Sequence, residues 1–121
     1  LALKVLNKYD SEMPDIYPFI DLARSKYFLV ATAYTLNDVT LGNKYVNSID
    51  NYVTDQLDYN YSQMQKDASN IDVRTVQLGV SLLDALSKIT KDNHQTAIAD
   101  KVDKQLKDYE GKFAAVLGKQ Q

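Results

Sequence analysis

The chain has 121 residues, 45% of them hydrophobic and 25% charged, with a net charge of −2 and no cysteine. That length and balance fit one globular domain with a real core, and they argue against disorder. Lys and Asp are interleaved, so there is no clustered basic surface for nucleic acid. The absence of cysteine excludes disulfides, thiolate metal sites and a Cys nucleophile. The longest nearly apolar run, Tyr27 to Leu36, is far short of the ~20 residues that span a bilayer.

The chain opens directly in helical pattern and without Met, which reads as a piece cut from a longer protein. Leu1 to Tyr9 reads as a short apolar helix, with Leu3 and Leu6 facing inward. Asp10 to Pro14 ends it with polar turn residues and a proline. A long helix then begins near Asp15 to Pro18 and runs to about Leu36. Its stripe is Ile16, Ile20, Ala23, Tyr27, Val30 and Tyr34, a spacing of threes and fours that buries one helix face. Phe19, Phe28, Leu29 and Ala33 widen the stripe, which predicts contacts on two sides.

Asn37-Asp38 breaks the pattern. Thr40 is the expected N-cap of the next helix, because a threonine hydroxyl can accept a backbone N–H two or three residues on. Gly42 falls in the first turn, where its flexibility costs least. This helix spans about Leu41 to Lys66, with Val46, Ile49, Val53 and Leu57 inward. Ser69 to Asp72 resembles a capping box, and a third helix follows over roughly Ile71 to Thr90. Val73, Val76, Val80 and Leu83 make one stripe of it, and Leu78, Leu82, Leu86 and Ile89 another. Gly79 marks a close helix contact. Asp92 to Gln95 has the form of another cap, leading a helix from about His94 to Leu117. Its stripe is Ile98, Val102, Leu106, Tyr109, Phe113 and Val116. Asp100, Asp103 and Asp108 each precede a lysine by four residues, the favourable order for a helical ion pair. Gly118 to Gln121 reads as a frayed tail.

The expectation is therefore all-α: antiparallel helical hairpins, stacked as an array or closed as a four-helix bundle behind a short helix. Residues 1–121 form one domain, divided into 1–13, a central hairpin at 14–68 and a closing pair at 69–118.

No residue pattern points to catalysis. His94 is the only histidine and has no evident partner, so it reads as a surface or capping residue. Asp55 and Asp58 are three apart on one helix beside Asp50. They read as a solvated face, because a hard cation needs more oxygen ligands than they supply. No Gly-rich phosphate loop and no nucleophile elbow is present. No catalytic, cofactor or metal site is expected. Tyrosine is the distinctive residue, nine in all. Tyr joins a large apolar body to a polar tip and is common at binding surfaces. Tyr45, Tyr52, Tyr59 and Tyr61 are the candidate partner-binding surface.

The order of features resembles a tetratricopeptide-type hairpin array. Ala31 and Tyr34 precede a short break, and Ala2, Leu6 and Pro14 look like the end of a preceding repeat. The whole chain is similar to the soluble C-terminal tail of a family of large multi-spanning bacterial membrane proteins. That family was long known as a domain of unknown function and is related to protein O-mannosyltransferases. The residues that carry the likeness are Ala2-Leu3-Lys4-Val5-Leu6-Asn7-Lys8, Pro14, Ala31 to Tyr34, Gly42-Asn43-Lys44, and Leu57-Asp58-Tyr59-Asn60-Tyr61. Asn37 stands where the family's turn carries a glycine, and the second Tyr of the last motif is displaced by one position.

The resemblance implies a parent membrane glycosyltransferase using a lipid-linked sugar donor, with its catalytic acids outside this chain. The chain itself would be a non-catalytic tail of an inner-membrane protein, on the periplasmic side. It would meet the membrane only through the parent and would bind a protein or peptide. The competing reading is a free-standing helical bundle that binds a small apolar ligand or lipid.

Overall fold

A computed structural model describes residues 19–118, with side chains from Ser25 onward. The expected helix at Leu1 to Tyr9, the break at Asp10 to Pro14, the helix start at Asp15 to Pro18 and the last residues of the tail lie outside the described residues. Every described element is helical, so the fold is all-α. The helices are α1 (Phe19–Thr35), α2 (Val39–Lys66), α3 (Val73–Asp92), α4 (Thr96–Lys112) and a single turn α5 (Ala114–Leu117). A 3-10 turn at Ala68–Asn70 lies between α2 and α3.

The chain divides into two compact units, residues 1–49 and 50–121, and the division falls inside α2. In the first unit, α1 and the opening of α2 form a tight hairpin. Leu29, Val30 and Ala33 of α1 are buried, as are Tyr45, Val46 and Ile49 of α2. These apolar positions recur at helical spacing, so one face of each helix leaves water. Lys26 is buried too, and its Nζ donates to Ser48 Oγ at 3.1 Å.

The turn of this hairpin has a definite geometry. Asn37 is left-handed, with φ 63°. The Asp38 N–H bonds Ala33 O and the Asn37 N–H bonds Tyr34 O, both at 3.0 Å. This is a Schellman closure, which satisfies carbonyls at the helix end. Asn accepts that backbone more readily than most residues. Asp38, and not Thr40, caps α2: its Oδ1 accepts the Leu41 N–H at 3.0 Å. Thr40 lies one turn position too late, already inside the helix.

In the second unit, the remainder of α2, then α3 and α4, run up, down and up. Leu57 of α2 packs on Gly79 of α3, where an added Cβ would come within 3.0 Å of Leu57 Cδ2. Val53, Leu57, Val76, Leu83, Leu86 and Val102 are fully buried. The connection at 67–72 is pinned by side chains. Asp67 accepts from Ser69, Asp72 accepts from Thr75, and Asn60 Oδ1 accepts the Asp72 N–H at 2.9 Å. The cap of α3 is therefore Asp72, and Ser69 belongs to the 3-10 turn that precedes it.

The α3–α4 turn repeats the first one. His94 has φ 62°, its N–H bonds Lys91 O at 3.0 Å, and the Gln95 N–H bonds Thr90 O at 2.8 Å. His94 therefore closes α3 and does not begin α4, which starts at Thr96. Gln95 occupies the cap position without a side-chain cap bond. A left-handed histidine carries strain that glycine would not. His94→Gly is expected to stabilise the protein by about 0.5–1 kcal/mol, after the entropy glycine adds to the unfolded chain. Asn37→Gly is expected to gain less. Urea unfolding of both variants measures the difference.

The final helix is also not continuous. α4 ends at Lys112, Phe113 leaves helical geometry, and α5 follows. Phe113 is fully buried, its ring edge-on to Tyr61 at 5.9 Å and stacked near Tyr109 at 6.5 Å. The exposed Gly111 just before it lowers the cost of the break.

Candidate functional site

The four candidate tyrosines do not share a surface. Tyr45 is fully buried and belongs to the core of the first unit, so it cannot meet a partner. Tyr52 is half-buried, and burial raises the pKa of its hydroxyl. Tyr59 is 63% exposed. The three stand seven residues apart on one helix, a stripe that drifts by ~20° per step. That drift, with the change in what lies over the helix, takes the stripe from core to solvent. Tyr61 falls on another face. It packs on Phe113, with Lys112 Nζ 5.1 Å from its ring centroid.

The three aspartates also part company. Asp55 is exposed. Asp58 accepts a 2.5 Å bond from the Tyr109 hydroxyl. Burial pushes the Tyr109 phenol well above its usual range, and the Asp58 carboxylate pushes it further. Asp50 is 1% exposed, and neither of its carboxylate oxygens has a hydrogen-bond partner. Lys101 Nζ stands 3.4 Å from Oδ2, close enough for an ion pair but without hydrogen-bond geometry.

These contacts define a polar seam between the second part of α2 and α4. Asp50 faces Lys101 and Asp58 faces Tyr109, two turns further along both helices. By the same register Thr54 stands level with Gln105, whose Oε1 is also buried and unbonded. Among the described residues no group of three or more His, Cys, Asp or Glu could hold a metal ion. The seam can fix the register of two helices, since a slip by one turn would separate both pairs.

A second polar contact joins α3 to α4. Asp103 accepts from the Ser87 hydroxyl and from Lys91 Nζ, the latter at 2.9 Å. Those two partners, Ser87 first, hold the Asp103 carboxyl below the usual range. Asp103 thus turns across to α3, and of the pairs expected within α4 Asp108–Lys112 forms, at 3.1 Å.

Two features escaped the sequence reading. Asp50 had a signal: it lies four residues after Val46 and three before Val53, on the inward stripe. The contact of Gly42 with Tyr34 had none. A Cβ at residue 42 would clash with the edge of the Tyr34 ring, and Tyr34 is held by its hydroxyl's 2.7 Å bond to Asn43 Oδ1.

No family model, curated protein or solved structure matches this chain. No helix among the described residues is long and apolar enough to cross a membrane.

Proposed function

We propose that this chain is a non-catalytic helical module that binds a protein or peptide through the outer face of α2 around Tyr59. The observation that carries this reading is the 63% exposure of Tyr59. Exposed Asp55 and Ser62 lie one turn to either side of it. An exposed tyrosine offers wide contact area at small entropic cost, and such residues anchor interfaces. The exposed Asp55 carboxylate beside it favours a basic partner surface. The sequence resemblance gives the setting we propose: the periplasmic tail of a membrane glycosyltransferase-like protein, with catalysis elsewhere in the parent.

A photo-crosslinking amino acid at position 59, in the chain expressed in its own cells, tests this. The expected result is a discrete adduct that excess unlabelled chain competes away, and that the same probe at exposed Ser81 does not give. Equal labelling at 59 and 81, or no competable adduct at 59, removes the reading. An adduct with a multi-spanning membrane protein would support the proposed setting as well.

A further inference from the structure

We propose that the corner between Tyr61 and Tyr109 is a binding site for a quaternary ammonium group, with Lys112 as the chain's own displaceable occupant. The corner is built where α2 and α4 meet. Asp58 and Tyr61, three residues apart, share one side of α2. Asp108, Tyr109 and Lys112 come from the end of α4, and Phe113 breaks the helix just after them. Phe113 is fully buried and sets both walls. Its ring lies at 84° to that of Tyr61 and at 21° to that of Tyr109. The two tyrosine planes are therefore steeply inclined to each other. The Tyr109 hydroxyl holds its wall in place by donating to Asp58, which brings a carboxylate to the same spot.

The chemistry of the occupant is visible in the chain itself. Lys112 Nζ lies over both rings, 5.1 Å from the Tyr61 centroid and 5.3 Å from that of Tyr109, and 3.1 Å from Asp108 Oδ2. Its ammonium stands in for the cation of a ligand. Both ring distances fall within the ~6 Å over which an aromatic face attracts a cation. The bond to Asp108, and behind it the Asp58 carboxylate, hold the Lys112 ammonium above the usual lysine range. Two ring faces and two carboxylates thus favour positive charge at one point.

Lys112 suits that point imperfectly. A primary ammonium carries three N–H donors. Asp108 accepts from it, but ring faces offer no lone pair. A quaternary ammonium has no N–H to leave unpaired, and it presents methyl groups to the rings. Lys112 is also easy to move. Its side chain is 33% exposed, and its pairing with Asp108 is of the i, i+4 kind on a helix surface, a weak class of ion pair. Tyr109, 6% exposed, and Phe113 are fixed by packing, so the corner keeps its shape when the lysine swings into water.

Titration with tetramethylammonium and with choline, followed by the tyrosine ring resonances, tests this. The expected result is a saturable shift at Tyr61 and Tyr109 that equal sodium chloride does not give. Lys112→Ser should tighten binding by about tenfold, the factor by which an occupant seated nine-tenths of the time weakens a competitor. Tyr61→Leu in that background should abolish it with an unchanged helical circular-dichroism spectrum. The uncharged isostere of choline, 3,3-dimethylbutan-1-ol, should not bind. If Tyr61→Leu fails to fold, the isostere carries the test. No saturable shift in the Lys112→Ser chain overturns the proposal. So does binding indifferent to Tyr61→Leu, or a neutral isostere that binds as well as choline. Phosphatidylcholine vesicles separate the sources of the group. Co-sedimentation that Lys112→Ser strengthens supports a lipid headgroup, and choline binding without it supports a soluble ligand. Tyr59 takes no part in the corner, so this proposal and the reading of the outer α2 face fail separately.

Discussion

Lys101→Met lowers the unfolding free energy by about 2–3 kcal/mol, and adding Asp50→Asn to the same chain returns most of that loss. The cause is the isolation of Asp50. Its carboxylate is 1% exposed, has no hydrogen bond, and meets one cation at 3.4 Å. Removing that cation leaves a buried charge with nothing to offset its desolvation. The full cost of breaking a buried pair is ~3–5 kcal/mol. It is discounted here because the Lys101 side chain is 53% exposed and already screened by water. Asp50→Asn alone keeps the shape and deletes the charge, so its expected effect is near zero or stabilising. Urea titration of the two single variants and the double one supplies the cycle. A double variant as unstable as the sum of the singles would show that the two groups do not interact.

Gly42→Ala is the second large effect, with an expected loss of about 2–3 kcal/mol. Helix propensity alone predicts the opposite sign, because alanine is better than glycine by ~1 kcal/mol in a helix. Packing outweighs it. The new methyl would clash with the edge of the ring of Tyr34, a residue only 6% exposed and tied to Asn43. The ring cannot swing aside without giving up its bond to Asn43. Thermal unfolding measures the loss. Tyr34→Leu in the Gly42→Ala background should restore part of it. A Gly42→Ala variant more stable than the parent would show that the ring yields freely.

Periodicity made the helices and their inward faces legible. Val46, Ile49, Val53 and Leu57 were expected inside and are fully or almost fully buried. It did not give depth. Tyr45 and Tyr59 occupy almost the same stripe of α2 and differ from fully buried to mostly exposed, because depth depends on what lies above the stripe. Phe28 was read as widening an inward face and lies in solvent, for the same reason. Helix ends were misplaced by one to three residues wherever several polar residues competed for a cap. Thr40 lost to Asp38, Ser69 to Asp72, and His94 turned out to close a helix. The first and last are decided by which backbone turns left-handed, Asn37 and His94, and a run such as Asp92-Asn93-His94-Gln95 offers several candidates.

The connections differ in what they ask of the chain's disorder. Residues 36–38 and 93–95 join helices that are already neighbours, so closing either hairpin removes little conformational freedom. The link at 67–72 is longer, and each of its residues must give up backbone freedom worth ~1–2 kcal/mol at room temperature. The side-chain bonds of Asp67, Asp72 and Asn60 are concentrated there. They offset an entropic cost that the two short turns, each closed around one left-handed residue, scarcely incur.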